Sequence, residues 1–491
     1  MTMAQTSQGA VTGTHGGGVY VFKGIPYAAP PFGPGRMRAP EPPQPWDSTR
    51  DCTEFGPTVP KSPYPPPFDK LLAEPAIPGE DCLNLNVWTP ELGAAGLPVL
   101  VWIHGGSFMY GSGAVPQYDG TAYARDGVVC VTINYRLGAD GFLFLDDGVA
   151  NVALLDQIAA LRWVQDNIAS FGGDPGRVTI AGESAGAMSV TTLLSMPRAA
   201  GLFRRVIAQS GAGQHVLTPG TAARVGGYLA EQLGVPASRE AIAAVPVPQL
   251  LAGQDALAFG LVTNPDPARW AEITGNRMVF EPVVDGDVLP AVPLDGLRAG
   301  AGRDVDVLIG TNADEQRFFM VPTGAMDAIS DPILQAAAAA DGLGDDALAL
   351  YRANRPGASA GEVLADLSGD WFFRIPALRV AEARPESATW VYEFAWPAPV
   401  LEGRLGACHY LEVAFTFDTL RSEGADWLTG PDAPQDLADV MHRAWVSFVT
   451  TGDPGWPRYT TAERATMVFD AASAVADDPD GDERRLWDGL R

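Results

Sequence analysis

The first half of the chain alternates short apolar runs with turns that carry glycine or polar residues. Three of these runs, at residues 97–103, 128–133 and 178–181, are rich in β-branched residues and apolar on both faces. This pattern is typical of strands that are buried on both faces of a mostly parallel sheet. Further strands are predicted at residues 205–208, 305–309 and 390–394.

Helical patterns fill the intervals between these strands. Residues 156–170 place apolar side chains at helical spacing, and residues 436–449 form an amphipathic pattern near the end of the chain. The alanine run within residues 331–350 favours a helix, and residues 221–301 are predicted to form helices joined by loops rich in proline and glycine. Strands and helices that alternate in this way predict an α/β fold, with a twisted, mostly parallel central sheet flanked by helices.

No segment of the chain has the composition of a linker between domains. Residues 17–90 are rich in proline and turn residues, and we expect them to form a meander packed on the sheet rather than a separate domain. The sequence contains no internal repeat. Residues 1–491 are therefore predicted to form one domain.

The excess of acidic residues limits which molecules this protein is expected to bind. The 33 Lys and Arg residues against 59 Asp and Glu residues give a net charge of −26, which repels phosphate backbones and anionic headgroups. We therefore expect a small-molecule substrate and no nucleic-acid partner. The N-terminus lacks a signal-peptide pattern, and no apolar run approaches the roughly 18 residues that span a membrane. We expect a cytoplasmic monomer with no membrane span.

The chain has four cysteines, namely Cys52, Cys82, Cys130 and Cys408. They form no C-x-x-C pair and no cluster with histidine at the spacing of metal ligands. We therefore expect neither a metal site nor a disulfide framework.

The sharpest chemical signal is the sequence GESAG at residues 182–186. It matches the pattern G-x-S-x-G, with a predicted strand before it and a predicted helix, residues 187–195, after it. In that context the serine lies in a strained, tight turn that exposes its hydroxyl above the sheet. We therefore predict that Ser184 is a nucleophile. The alternative is an ordinary glycine-rich turn.

A nucleophilic serine needs hydrogen-bond donors for the oxyanion that forms during attack. His104, Gly105 and Gly106 directly follow the strand predicted at residues 97–103. Consecutive glycines in this place let two N–H groups point at one oxygen, as in the HGGG-type arrangement. We predict that Gly105 and Gly106 donate to the oxyanion, with Ala185 as the third donor. The alternative is again a plain glycine turn.

In α/β-hydrolases the acid and then the histidine of a catalytic triad follow the serine along the chain. Three histidines come after Ser184, namely His215, His409 and His442. His215 leaves little room for an intervening acid, and His442 lies inside the predicted C-terminal helix. His409 is therefore the predicted base.

Two adjacent carboxylates follow the strand predicted at residues 305–309, and either could be the acid. Spacing alone does not choose between Asp314 and Glu315. The alternative for each is a solvated carboxylate in a loop.

Motifs along nearly the whole chain resemble those of the type-B carboxylesterase family, which includes bacterial para-nitrobenzyl esterases, animal carboxylesterases and cholinesterases. Besides GESAG, the matching segments are FKGIPY at residues 22–27, EDCLNL at 80–85, HGG at 104–106, NYRLG at 134–138, FGGDP at 171–175, QSG at 209–211 and, near the end of the chain, Trp445. The resemblance implies an α/β-hydrolase fold and ester hydrolysis by a serine triad, without a metal or organic cofactor.

The resemblance also implies roles for individual residues. The acid of the family is the glutamate of an N-x-D-E-G segment, which implies Glu315, and its histidine lies in a G-x-x-H-x-x-E segment, which implies His409. Glu183 and Ser210 are implied to support the triad indirectly. Gln316 departs from the pattern, because the family has glycine after the acid, so this turn is expected to differ.

The cysteines depart from the family as well. The first disulfide of the family joins the cysteine of an E-D-C-L segment to a cysteine in the preceding loop. Cys82 matches the former, but no cysteine lies near Val59, where the partner is expected. Cys52 comes earlier, at a position where the family usually has alanine. We therefore do not expect a bridge between Cys52 and Cys82.

Together these observations predict a serine carboxylesterase that hydrolyses esters through an acyl-Ser184 intermediate. The first alternative is an amide or carbamate hydrolase that uses the same triad and differs in how the leaving group is protonated. The second is a non-catalytic binding or adhesion protein, since the fold includes members with dead triads. The presence of Ser184, Glu315 and His409 argues against it.

Overall fold

The computed structural model of the protein describes residues 2–491, and its strands form one 13-stranded sheet. The strands are β1 Thr2–Gln5, β2 Ala10–Gly16, β3 Val19–Pro26, β4 Arg50–Asp51, β5 Asn84–Thr89, β6 Leu97–Ile103, β7 Val129–Ile133, β8 Gly173–Glu183, β9 Arg205–Gln209, β10 Asp306–Asn312, β11 Thr389–Phe394, β12 Ala465–Phe469 and β13 Ala474–Asp477.

Helices fill the connections between the strands. They are α1 Thr121–Arg125, α2 Gly138–Phe142, α3 Val152–Asn167, α4 Ala185–Ser195, α5 Pro219–Leu233, α6 Arg239–Ala243, α7 Val247–Thr263, α8 Pro267–Trp270, α9 Ile273–Asn276, α10 Pro293–Arg298, α11 Arg317–Met320, α12 Ala325–Ala328, α13 Asp331–Ala340, α14 Asp345–Asn354, α15 Ala360–Gly369, α16 Ile375–Glu382, α17 Val413–Thr416, α18 Asp426–Thr429, α19 Gln435–Thr451 and α20 Gly481–Leu486. Among the described residues, no helix is both long and apolar enough to cross a membrane.

The centre of the sheet is parallel and its edges are antiparallel. Strands β7, β6, β8, β9, β10, β11 and β12 lie side by side in this order and run parallel. Antiparallel strands β1, β2, β3 and β5 extend one edge, and β13 extends the other. The predicted α/β fold with a mostly parallel sheet is confirmed. Because parallel strands end at the same edge, the loops after β6, β8 and β10 lie close together.

Both faces of the sheet are buried, which explains the apolar runs of the sequence. On β6, Val99, Val101 and Ile103 belong to one apolar cluster, whereas Leu100 and Trp102 belong to a second. All five side chains are at most 1% exposed. A strand packed on both faces has no polar side, so its sequence does not alternate.

The meander expected at residues 17–90 is wrong in part, because β3 and β5 are strands of the sheet itself. Asn84 and Asn86 hid β5 from sequence analysis, because they interrupt its apolar pattern although both are buried. The side chain of Asn86 accepts a hydrogen bond from the amide of Gly24 (2.9 Å) and donates one to Thr132 Oγ1 (2.9 Å). These bonds offset the cost of burying a polar group.

The helix predicted for the alanine run within residues 331–350 is present as α13. A second helix, α14, follows it after a turn in which Gly342 has a φ of 83°. A residue in this left-handed region ends a helix. The helix predicted at residues 156–170 begins earlier, as α3, and the helices expected within residues 221–301 are α5 to α10.

An ion pair shielded from solvent anchors the segment after β7 to α3. Arg136 donates through Nε (2.8 Å) and Nη2 (2.5 Å) to the carboxylate of Asp156. The two side chains are 2% and 0% exposed. Breaking such a pair leaves a buried charge without its partner, which is far more costly than losing a surface pair.

We expect Arg136→Met to lower the Tm sharply, because the unpaired Asp156 carboxylate would cost about 3–5 kcal/mol. Arg198→Met is the matched control, since Arg198 and Asp287 pair at the surface, where the side chains are 44% and 77% exposed. Surface pairs contribute about 0–1 kcal/mol. Scanning calorimetry measures both variants, and equal losses of Tm would contradict this account of the ion pair.

Candidate active site

Ser184 lies in a sharp turn between β8 and α4. Its φ of 55° and ψ of −124° are rare for a residue with a side chain. The backbone N–H of Ser184 donates to the carbonyl of Gln209 (2.8 Å), which holds the turn. The turn also needs glycine, because a Cβ atom at Gly186 would lie 2.0 Å from the carbonyl oxygen of Ile103. The predicted order of strand, tight turn and helix around GESAG is confirmed.

The backbone N–H groups of Gly105, Gly106 and Ala185 are among those near this turn that have no acceptor within residues 2–491. Gly105 is next to the serine, since a Cβ atom on it would lie 3.1 Å from the Cβ of Ser184. Unpaired donors in this place are available to an oxygen atom of a ligand.

Hydrogen bonds to the carbonyl oxygens of their peptides set the direction of the two glycine N–H groups. A trans peptide points its C=O and N–H in opposite directions, so a bond to the carbonyl sets the direction of the N–H. Tyr135 Oη donates to the carbonyl of His104 (2.8 Å), whose peptide carries the Gly105 N–H. His104 Nδ1 lies 2.8 Å from the carbonyl oxygen of Gly105, whose peptide carries the Gly106 N–H. Sequence analysis missed the part played by Tyr135, although it belongs to the NYRLG segment.

The ring of His104 is a neutral donor. Burial lowers the pKa of His104 to about 3, so the ring carries one proton at neutral pH. A carbonyl oxygen only accepts hydrogen bonds, so that proton is on Nδ1 and is donated to Gly105. The ring also stacks on Tyr135, with 4.4 Å between the centroids.

His409 and Glu315 form a buried pair. Glu315 Oε2 lies 2.6 Å from His409 Nδ1, and the side chains are 2% and 5% exposed. The other carboxylate oxygen of Glu315 accepts the amide N–H of Asn312 (2.9 Å). Burial lowers the pKa of His409, but the carboxylates of Glu183 and Glu315 outweigh it and raise the pKa to about 9.

Asp314, the other candidate for the acid, has different partners. Its Oδ2 accepts the amide N–H of Ala407 (2.8 Å), and its Oδ1 pairs with Arg317 (2.9 Å). Gln316 has φ −72° and ψ −16°, a right-handed helical conformation that any residue adopts. The missing family glycine therefore imposes no strain on the turn after Glu315.

The other two candidate histidines have structural partners. His215 donates through Nε2 to the carbonyl of Phe372 (2.9 Å), and His442 donates through Nδ1 to the carbonyl of Thr416 (2.8 Å). Neither lines the cleft that contains Ser184.

Ser184, His409 and Glu183 line one cleft. Its other walls are Tyr64, Leu72, Ala73, Gly105, Gly106, Ser107, Gly111, Val115, Tyr118, Phe318, Phe319 and Tyr410. Glu183 Oε1 lies 3.1 Å from His409 Nε2. Across residues 2–491 no hydrogen bond joins Ser184 to His409. Hydrogen bonds of this kind are often long before substrate binds and tighten in its complex.

Glu412 is a further buried carboxylate, which sequence analysis missed. It accepts hydrogen bonds from Gln209 Nε2 (3.0 Å) and Asn312 Nδ2 (2.6 Å). Because Asn312 also donates to Glu315, Glu412 orients the predicted acid through this one residue. Burial raises the pKa of both Glu412 and Glu183. Glu412 is the final glutamate of the G-x-x-H-x-x-E segment, and this pattern could have pointed to it.

Ser210 directly follows β9, and its side chain has no hydrogen-bond partner among the residues described. Its backbone N–H donates to the carbonyl of Gly310 (2.9 Å) and so ties the end of β9 to β10, the strand that leads to Glu315. No group of three or more His, Cys, Asp or Glu side chains within residues 2–491 is placed to hold a metal ion.

The chain is similar to known proteins over nearly its whole length. Residues 1–487 match the sequence model of the carboxylesterase family. The para-nitrobenzyl esterase of Bacillus subtilis (strain 168) is 36% identical over 509 residues, which cover 98% of this chain and 97% of that protein. The phenmedipham hydrolase of Pseudarthrobacter oxydans is 37% identical and covers 97% of both chains.

Solved structures show the same likeness in three dimensions. The carboxylesterase of Geobacillus stearothermophilus superimposes with a TM-score of 0.87 at 38% identity, covering 99% of this chain and 100% of that one. The order of strands, the sequence motifs and the full-length matches all point to the same family. The chain therefore belongs to the carboxylesterase family, has the α/β-hydrolase fold and is a hydrolase of carboxylic esters.

Proposed function

We propose that Ser184, His409 and Glu315 are the catalytic triad of this ester hydrolase, with Ser184 as the nucleophile. The observation that carries the proposal is the buried 2.6 Å contact between Glu315 Oε2 and His409 Nδ1, in a histidine that lines the cleft of Ser184. This contact occupies Nδ1, so Nε2 is the nitrogen that can act as the base; Glu183 Oε1 lies 3.1 Å from Nε2 but makes no hydrogen bond to it.

In the first half of the reaction, His409 Nε2 takes the proton of Ser184 Oγ as this oxygen attacks the ester carbonyl carbon. Glu315 keeps the ring oriented and stabilises the imidazolium. The imidazolium then gives its proton to the departing alcohol oxygen, and the acyl group stays on Ser184. A water molecule attacks the acyl carbon in the second half, with His409 again moving the proton, and releases the acid.

The amides of Gly105, Gly106 and Ala185 form the proposed oxyanion hole. Their N–H groups have no acceptor within the described chain, so they lose no hydrogen bond when an oxyanion forms. Donors that are fixed beforehand stabilise the tetrahedral intermediate without reorganising.

Glu183 and Ser210 support the triad in different ways. The carboxylate of Glu183 acts by charge, since it lies 3.1 Å from His409 Nε2. Ser210 acts through its backbone, which joins β9 to the strand before Glu315. We also propose that residues 1–491 are one domain and that the enzyme is a monomer, because this chain supplies every proposed catalytic group.

Replacing the nucleophile tests the proposal most simply. We expect Ser184→Ala to lower kcat by about 10⁶, as in other serine hydrolases, with the Tm unchanged. Steady-state hydrolysis of a p-nitrophenyl ester measures the loss, and mass spectrometry after treatment with a fluorophosphonate locates the reactive serine. Retention of more than about a tenth of the wild-type rate, or labelling elsewhere, would falsify the assignment.

The two adjacent carboxylates make a matched pair of variants. We expect Glu315→Gln to lower kcat/KM by about 10³–10⁴, because the amide cannot stabilise the imidazolium. Asp314→Asn should have a much smaller effect, since Asp314 bonds to Ala407 and Arg317 rather than to His409. Comparable losses in the two variants would show that the wrong carboxylate has been assigned.

The carboxylates around His409 predict the pH dependence of the reaction. The base must be neutral, so kcat/KM rises through the pKa of His409, which Glu183 and Glu315 raise to about 9. Glu183→Gln removes a carboxyl group whose ionised form favours the imidazolium, so the acid limb should move to lower pH. Asp126→Asn, beside His442, is the control and should leave the limb unchanged. A limb that stays in place or moves to higher pH in Glu183→Gln contradicts the assigned electrostatics.

We propose that the protein works in a reducing compartment, the cytoplasm, because all four cysteines are buried free thiols. Burial raises the pKa of Cys52 and of Cys82 to about 12, which makes both thiols unreactive. Titration of unreduced protein with Ellman's reagent should find four thiols in denaturant, and dithiothreitol should not shift the Tm. Two missing thiols would indicate a bridge and an oxidising compartment.

A further inference from the structure

A loop that ends at a narrow neck forms one wall of the cleft. At the neck, the amide of Thr58 donates to the carbonyl of Ile77 (3.0 Å), and the amide of Ile77 donates to Thr58 Oγ1 (3.0 Å). We call residues 59–76 the cleft loop. It supplies three side chains to the cleft, namely Tyr64, Leu72 and Ala73.

A buried ion pair joins the two ends of the cleft loop. Lys61 Nζ lies 3.1 Å from Glu74 Oε1 and donates to the carbonyl of Pro75 (2.9 Å). The side chains of Lys61 and Glu74 are only 2% and 10% exposed. The second carboxylate oxygen of Glu74 leaves the loop and accepts the amide N–H of Gly111 (3.0 Å).

Gly111 packs against the peptide that carries a proposed oxyanion donor. A Cβ atom at Gly111 would lie 2.5 Å from the carbonyl oxygen of Gly105 and 2.5 Å from His104 Nδ1. These two atoms make the hydrogen bond that orients the Gly106 N–H. Any shift of Gly111 toward them therefore disturbs this bond.

We propose that Glu74 is a positioning residue of the oxyanion hole. By accepting the amide of Gly111, it holds residues 104–111 in the arrangement in which Gly105 and Gly106 face Ser184. Lys61 fixes the carboxylate in turn. The inference rests on the proposed oxyanion hole and extends it to a residue that touches no reacting atom. The carboxylate thus acts on the donors that stabilise the intermediate through the amide of Gly111.

Two variants of Glu74 separate its hydrogen bond from its volume. We expect Glu74→Ala to lower kcat by about tenfold with little change in KM, less than the 10²–10³ lost with an oxyanion donor itself. Affinity for a trifluoromethyl ketone, which forms a tetrahedral adduct, should fall by the same factor. Affinity for the matching secondary alcohol, which forms none, should not change. Glu74→Gln keeps an oxygen that accepts from Gly111 and should recover most of kcat.

Ser62→Ala is the control for a general loosening of the cleft loop. Ser62 Oγ donates to Asp255 Oδ2 (2.5 Å), so this variant frees the loop from α7 without touching Gly111. We expect it to change KM and leave kcat intact. If Glu74→Ala affects only KM, as Ser62→Ala does, or weakens both ligands equally, the proposal is overturned.

A double variant covers the case in which Glu74→Ala does not fold. Lys61→Met with Glu74→Leu replaces the buried ion pair by apolar side chains of similar size, which is often neutral for stability. It still offers Gly111 no acceptor, so kcat per fluorophosphonate-labelled site should fall as in Glu74→Ala. Complete labelling of Ser184 with a low kcat supports the role of Glu74, whereas a wild-type kcat per site refutes it. Failure of the triad itself would appear instead as absent labelling.

Discussion

The site depends on the parallel pairing of β6 with β8. In their register Ile103 lies opposite Gly182, so the chain leaves both strands at the same level. Gly105 and Gly106, the proposed oxyanion donors, and the turn at Ser184 therefore begin side by side. Because a Cβ at Gly186 would lie 2.0 Å from the carbonyl oxygen of Ile103, any larger residue would push α4 away from β6. Ser184 would then move away from the amides that are proposed to serve it.

Buried carboxylates around the imidazole of His409 govern the protonation of this ring. Glu183 and Glu315 both lie within 3.1 Å of a ring nitrogen of His409, and Glu412 acts through Asn312. In the proposed mechanism, the ionised carboxylates stabilise the imidazolium that forms during attack, which favours the transition state. They also raise the pKa of the base, so that a smaller fraction is neutral below about pH 9. The same carboxylates that stabilise the imidazolium therefore lower the activity expected at acidic pH.

Sequence analysis predicted the parts of the fold and site whose causes are local. Strands such as β6 are buried on both faces, so their sequences are continuous apolar runs. The turn at Ser184 needs small neighbouring residues, and these form a recognisable motif. Partners far along the chain decided the rest. Asn86 is acceptable in a buried strand only because Gly24 and Thr132 satisfy it.

The choice between adjacent acids shows the same limit. Asp314 and Glu315 differ by one position, and what separates them is the loop near residue 407, which meets Asp314 almost a hundred residues later in the chain. The contributions of Tyr135 and Glu74 are carried by hydrogen bonds to backbone atoms, and such bonds leave no pattern in the sequence.

The most direct measurement is a crystal structure of the enzyme inactivated by a fluorophosphonate. Our account predicts phosphorus bonded to Ser184 Oγ, with the phosphoryl oxygen about 2.7–3.1 Å from the oxyanion amides. Phosphorus on another residue, or an oxygen turned away from those amides, would contradict it.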